Sequence, residues 1–420
     1  MIYIEITYIT RHNIFHYLII NSMLKKFRIP WSPRSHFFSS REKSEIIKVL
    51  DKSECLTQGK WLEKFENKFI KFLNSKGKAF AVTSGASAIE LAASVLRLKP
   101  SDEIIAPSHT YCATALPFTR YNCKIKWSDI NPENFCIDPK SIKKLITKKT
   151  RVIVVVHLYG APCDIIEIQK ICKKNKIILV EDCAQSLGSK IDNRHVGTFG
   201  DLSIFSFHQQ KNMTTLGEGG MLVVNNKKFQ KYIPGLRHNG HKQYPNKKKY
   251  WKPAMIDVDQ DLKNITPFNF PMTEIQACTG FFLLDRINKL NKKRNFMAKK
   301  IINSLKSYNF LKFQKTPINH QNSYHLLPAY IDTKVKNLDK NKFIEIMSTK
   351  YKIQVIVQYH PLHKYKFFRK RGNNYYSDLS NTEFFYKNML SFPMHAWMSN
   401  KDLSYLINSS IKTLKTLSKN

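Results

Sequence analysis

Lys211, Asp182 and Ser206 are the residues of this chain whose types and positions could do chemistry together. Ser206 and Lys211 stand in Ile204-Phe205-Ser206-Phe207-His208-Gln209-Gln210-Lys211, just ahead of the glycine cluster Gly217-Glu218-Gly219-Gly220, and Asp182 stands in Glu181-Asp182-Cys183-Ala184-Gln185. Each segment opens as an apolar run, 177–180 and 202–207, and turns polar where a strand should end. Ligands of open α/β sheets bind at the carboxyl ends of strands. A lysine delivered there can form a Schiff base with an aldehyde cofactor, and an aspartate from a neighbouring strand can keep a pyridine nitrogen protonated so that the ring withdraws electrons. A solvated lysine is a poor base at neutral pH, but burial and Schiff base formation both lower the cost of its neutral form. Taken singly, Lys211 could be one more surface lysine and Asp182 a turn or helix-cap residue; the flanking segments argue against both.

The elements that must position these residues follow from periodicity. Seven stretches read as strands, 79–83, 103–106, 124–127, 152–156, 177–180, 203–207 and 221–224, and Ala88, Ile89, Ala92, Ala93 and Leu96 recur at helical spacing directly after the first. A further helix over 165–175 fits the same alternation. The result is an α/β chain with a mainly parallel seven-stranded sheet covered on both faces. Gly85, Ala86 and Ser87 open the first helix, where unpaired backbone N–H groups and the helix dipole favour a phosphate, and Ser206 could add a hydroxyl. After Thr273 a long helical stretch runs through Met297 and Ile302. A strand over 324–331, a helix over 340–351, a strand over 353–358 and helices near Phe384 and Leu406 then predict a smaller C-terminal α/β domain. The chain divides into an N-terminal extension and arm (1–38), a large cofactor-binding domain (39–295) and a small domain (296–420).

Composition bounds the partners. A chain of 420 residues with 42% hydrophobic content can bury a large core, and no apolar run is long and uncharged enough to cross a membrane. The eight cysteines show no C-x-x-C spacing and read as free thiols of a reducing cytoplasm. The net charge of +38 is spread along the whole chain, with lysine accompanied by much asparagine and isoleucine, so it reads as a solvated surface rather than a nucleic-acid or membrane footprint. Lys247-Lys248-Lys249 is its densest run, and could meet a pyrophosphate or face water. Residues 1–22 carry Glu5, Arg11 and His12 among apolar patches with no small-residue cleavage site, which does not describe a secretory signal. No metal site is expected, since His12 and His16 have no third ligand.

These motifs, with Leu56-Thr57-Gln58-Gly59-Lys60-Trp61, Thr83-Ser84-Gly85-Ala86-Ser87-Ala88, Pro107-Ser108-His109-Thr110-Tyr111 and Tyr359-His360-Pro361-Leu362-His363, make a chain that resembles the DegT/DnrJ/EryC1/StrS family of sugar aminotransferases over about nine tenths of its length. The resemblance implies a fold type I transferase dependent on pyridoxal 5′-phosphate. It implies that Lys211 bonds the cofactor and later shuttles the proton, that Asp182 partners the pyridine nitrogen, that Gln185 bonds the ring hydroxyl and that Tyr111 stacks on the ring. Asn269, in Pro267-Phe268-Asn269-Phe270-Pro271-Met272, matches the family asparagine that reaches the neighbouring subunit's cofactor phosphate, which implies a homodimer with shared sites. His360 and His363 are candidates for a substrate loop. The chain departs from the family at Ala86, where threonine is usual, and at Pro271, where many relatives carry arginine.

Relatives with histidine in place of Lys211 are dehydratases; this chain keeps the lysine. The implied reaction moves an amino group from an amino acid, L-glutamate first, to a keto group of a nucleotide-linked deoxysugar for surface polysaccharide or glycoconjugate synthesis. The alternatives are a sugar dehydratase or cyclitol aminotransferase on the same scaffold, and a non-catalytic binding or regulatory protein. Asp182, Gln185, Ser206 and Lys211 together count against the last.

Overall fold

The computed structural model of the chain describes residues 27–31, 34, 36–240, 258, 262, 265–373, 375–376 and 378–419. Residues 1–22 and the run Lys247-Lys248-Lys249 lie outside them. Strands β1 (Lys78–Val82), β2 (Glu103–Pro107), β3 (Lys124–Ser128), β4 (Thr150–Val156) and β5 (Ile178–Asp182) come first. A small hairpin, β6 (Lys190–Ile191) and β7 (Arg194–His195), precedes β8 (Leu202–Ser206) and β9 (Gly220–Val224). The C-terminal part adds β10 (Leu311–Phe313), β11 (His320–Gln321), β12 (Leu327–Ile331), β13 (Tyr375–Tyr376) and β14 (Met389–Phe392).

The large sheet has the order β1-β9-β8-β5-β4-β2-β3-β13, and β9 alone runs against its neighbours. Its side chains alternate between two cores, as a pleated strand requires. Val152 and Val154 join Ile104, Ala106 and Trp127 on one face, while Ile153 and Val155 join Ile105 and Leu179 on the other. Burial on both faces is why these strands read as continuous apolar runs. Seven strands were expected and the sheet has eight. The extra one comes from the C-terminal part, where Tyr375 and Tyr376 pair with Lys126 and Trp127 beyond β3; two residues are too few to carry a readable period.

A second sheet, β10-β12-β14, is antiparallel. Three further expectations need correction. The helical stretch after Thr273 is two helices, Glu274–Leu283 and Ile287–Leu305, separated by a 3₁₀ turn at Leu284–Arg286. The strand expected from 324 begins at Leu327, since Tyr324 takes φ +44° and cannot extend. The segment 353–358 forms no strand, only isolated bridges from Ile353 to Ile29 and from Ile356 to Ser391. Residue 295 falls inside the helix Ile287–Leu305, whose first turns pack with the large sheet through Ile287 and Leu290. Its later turns pack with the small sheet through Met297, Ile301 and Leu305.

Candidate active site

The carboxyl ends of the parallel strands meet along one edge of the large sheet. There a cavity of about 530 Å³ is lined by Gly85 and Ala86 after β1, Thr110, Tyr111 and Thr114 after β2, Asp182 and Gln185 at β5, and Ser206 and Lys211 after β8. This volume lies within the usual range of small-molecule sites.

The β1 end turns directly into the helix Gly85–Val95, capped by Ser84, whose hydroxyl accepts from the N–H of Ser87 at 3.0 Å. Gly85 and Ala86, the first two residues of the helix, have no carbonyl a turn earlier to bond, so their N–H groups remain available. Gly85 also lets β8 come close: a Cβ there would stand 2.8 Å from the Cβ of Ser206. Ser87, expected as a cofactor contact, stands back from the cavity. Its N–H is taken by the cap, its hydroxyl lies 2.8 Å from those of both Thr83 and Ser84, and it does not line the cavity.

Asp182 ends β5 and is almost wholly buried. Its Oδ1 accepts from the N–H of Ala184 at 3.0 Å and its Oδ2 from the hydroxyl of Thr114 at 2.7 Å. Burial pushes the carboxyl above its ordinary range; these two donors and the charge of Lys211 oppose that. Lys211 sits in the connection between β8 and β9, held by hydrogen bonds from Phe207 N–H to Gly219 at 2.7 Å and from Gln209 N–H to Gly217 at 2.8 Å. Phe207 is fully buried, with ring centroids 5.6 Å from Phe65 and 5.8 Å from Phe69, which anchors the start of the connection. Burial lowers the Lys211 pKa to about 8, against the opposing pull of Asp182 and Glu218.

Gln185 is oriented by the main chain. Its Oε1 accepts from the N–H of Tyr159 at 2.8 Å, so its amide nitrogen must be the group 3.2 Å from the hydroxyl of Tyr359. Tyr159 reaches this position with φ +63°, a left-handed conformation costly for a non-glycine residue. Tyr111 is 55% exposed at the cavity mouth, with its ring 6.0 Å from that of Tyr359.

Other candidates lie apart. His360 is exposed, its Nδ1 3.0 Å from the hydroxyl of Tyr386. His363 bridges Ser108 at 2.6 Å and Glu383 at 2.7 Å. Neither lines the cavity, and both are occupied in holding the segment after Tyr359. Asn269 is exposed, bridges His238 through its backbone and does not line this chain's cavity. Sequence reasoning missed Thr114 and assigned no role to Thr110, Tyr159 or Tyr359; the four-residue spacing of the two threonines was the one available signal. Behind Asp182, the buried trio His157, Glu181 and Cys183 has metal-like proximity. Glu181 is saturated: Oε2 accepts from His157 at 3.0 Å and Gly197 at 2.8 Å, and Oε1 from Phe199 at 2.7 Å and Gly200 at 2.5 Å. Burial alone would raise its carboxyl, but these donors outweigh burial and hold it below the usual range.

The sequence profile of the DegT/DnrJ/EryC1/StrS aminotransferase family matches residues 38–410. The chain belongs to this family. Among its relatives, the uncharacterized protein MJ1066 of Methanocaldococcus jannaschii is 30% identical over 372 residues, 87% of this chain and 93% of that one. The GDP-perosamine synthase of Escherichia coli O157:H7 is 33% identical over 273 residues, 64% of this chain and 70% of that one. The solved structure of Helicobacter pylori PseC, an aminotransferase of pseudoaminic acid biosynthesis, superposes with a TM-score of 0.82 at 27% identity, covering 92% of this chain and 99% of that one. DegT/DnrJ/EryC1/StrS aminotransferases are pyridoxal-phosphate-dependent sugar aminotransferases, and this chain is an enzyme of that class.

The residues present fit that cofactor. The free N–H groups of Gly85 and Ala86 beside the Ser206 hydroxyl suit a phosphate. Asp182 is a buried acid whose close donors are neutral, ready for a protonated ring nitrogen. Lys211 is a lysine whose burial eases its neutral form.

Proposed function

We propose that this DegT/DnrJ/EryC1/StrS aminotransferase moves the amino group of L-glutamate to a keto group of a nucleotide-linked deoxysugar, in the making of a surface polysaccharide or glycoconjugate. The observation that carries the reading is the shared cavity of Lys211 and Asp182, on the neighbouring strand ends of β8 and β5. The relatedness to a GDP-perosamine synthase supports a nucleotide-linked sugar. Eight free cysteines suit a reducing cytoplasm as the place of action. Among the described residues no helix is long and apolar enough to cross a membrane.

When bound, pyridoxal phosphate supplies an electron-withdrawing ring that acidifies the carbon beside the transferred nitrogen. Lys211 Nζ would hold the cofactor covalently and, as a free amine, would be the group placed to accept and return the proton of that carbon. Asp182 would hold the ring nitrogen protonated. Gln185, its amide nitrogen turned inward by Tyr159, would donate to the ring hydroxyl, and Tyr111 would cover one face. Gly85, Ala86 and Ser206 would hold the phosphate, with Asn269 of a second copy completing that cradle in a homodimer.

The test is a single half-reaction. Purified enzyme loaded with cofactor and given L-glutamate should release one equivalent of 2-oxoglutarate as the visible absorbance of the lysine-bound cofactor disappears, and Lys211→Ala should do neither. Absence of reaction with every amino acid tried would overturn aminotransfer. For the dimer, mixing Asn269→Ala and Lys211→Ala chains should restore part of the activity; confirmed heterodimers without recovery would remove the cross-subunit role of Asn269.

A further inference from the structure

We propose that Thr114 is a positioning residue: its hydroxyl, backed by that of Thr110, holds the Asp182 carboxylate ionised and aimed into the cavity. The proposal rests on the reading of Asp182 as the partner of the ring nitrogen. An ionised carboxylate only accepts hydrogen bonds. The 2.7 Å contact between Thr114 Oγ1 and Asp182 Oδ2 therefore fixes where the Thr114 proton goes. With that proton committed, Thr114 Oγ1 can only accept from Thr110 Oγ1, which lies 3.2 Å away. The donors thus run in one direction, from Thr110 through Thr114 to Asp182, and each bond polarises the next in a low-dielectric interior.

The surroundings make this chain consequential. Thr110 and Thr114 are each 1% exposed and Asp182 4%, so little solvent reaches the bond between them. Asp182 Oδ1 has its own donor in the N–H of Ala184, which leaves the Oδ2 side dependent on Thr114. The geometry is set by the chain itself. Thr114 closes the 3₁₀ turn Cys112–Thr114 that follows β2, and its N–H bonds the carbonyl of Tyr111 at 3.1 Å, which places the two threonine hydroxyls on one side of the turn. Removing the hydroxyl should favour neutral Asp182, weaken its hold on a protonated ring nitrogen and so make that nitrogen easier to deprotonate.

The experiment uses the full-length holoenzyme carrying pyridoxal phosphate labelled with ¹⁵N in the ring. The ring-nitrogen shift is followed against pH, and cofactor release is measured by equilibrium dialysis. Thr114→Val, close in shape but without the hydroxyl, should deprotonate the ring nitrogen about one pH unit lower and bind the cofactor about tenfold more weakly, the scale of one charge-assisted hydrogen bond. Thr114→Ser should titrate like the parent, and Thr110→Val should shift the same way by less. A Thr114→Val protein that titrates like the parent overturns the proposal, as does a Thr114→Ser protein as impaired as Thr114→Val. If Thr114→Val does not fold, an unshifted Thr110→Val overturns it instead. Asp182→Asn separates the two levels: if it leaves the ring nitrogen unchanged, the assignment of Asp182 has failed. If Asp182→Asn shifts the nitrogen while Thr114→Val does not, only the role of Thr114 has failed.

Discussion

The inner wall of the cavity and its outer rim are built in opposite ways. The wall is carried on strand ends and the first turn of a helix: Gly85, Asp182 and Ser206 belong to or adjoin hydrogen-bonded elements, and Asp182 has a donor on each oxygen. At the rim, Tyr111 is exposed, and Gln358 and Tyr359 line the cavity at the end of a segment, 353–358, that makes only isolated bridges. Its continuation is stapled by His360 on Tyr386 and by His363 between Ser108 and Glu383. Chemistry that tolerates only small displacements is placed where the sheet fixes it. Contacts at the rim can change without disturbing the sheet.

Substitutions on the two regions should therefore separate cleanly. The largest effect belongs to Lys211→Ala, which should cut turnover by about 10⁴-fold or more, measured as 2-oxoglutarate release, since covalent attachment and proton transfer are lost together. Phe207→Ala, which leaves the active-site side chains untouched, should destabilise the fold by about 3–5 kcal/mol in urea unfolding, because it empties a site packed between Phe65 and Phe69. A stable Phe207→Ala protein would show that the Lys211 connection is not anchored from this core.

A pH series sharpens the account of Lys211. Only its neutral amine can attack the cofactor aldehyde, and its pKa lies at about 8. Capture of the cofactor by the cofactor-free enzyme, followed by stopped-flow absorbance, should rise about tenfold per pH unit below 8 and level off above it. Glu218 favours the ammonium form, so Glu218→Gln should move that midpoint to lower pH and speed capture at neutrality. The smallest effect belongs to His360→Ala, which should change the glutamate half-reaction by less than about twofold while leaving room for a change in the sugar KM. A large loss in the glutamate half-reaction would place His360 on the wall rather than the rim.

The wall was legible because buried parallel strands leave a distinctive trace. An apolar run that turns polar marks both a strand end and a candidate ligand contact, and Asp182, Ser206 and Lys211, read in that way, line one cavity. The first turn of the helix was legible too, but not which donors its cap consumes; Ser84 takes the N–H of Ser87, and that depends on a side-chain rotamer. Tyr159 was invisible as an orienting group because its contribution is a main-chain N–H in a left-handed conformation, which an aromatic residue does not advertise. The partners of the two histidines were hidden for the converse reason. His360 and His363 were read as substrate-loop candidates, while Glu383 and Tyr386, the residues that bond them, lie 20 and 26 positions further along. The two-residue β13 and the failed strand at 353–358 were set by what neighbours offered for pairing, a tertiary fact with no local signature.

The closed connection between β8 and β9 has a kinetic meaning. In the role proposed for Lys211, its amine would let go of the cofactor and find it again in every cycle. Here the main chain on both sides of Lys211 is tied back on itself, Phe207 to Gly219 and Gln209 to Gly217, so the amine remains leashed while it is free. Recapture then competes as an intramolecular event, with effective molarities that can reach roughly 10⁵–10⁸ M for well-oriented groups. A leash of this kind lets the enzyme release its grip without losing its place.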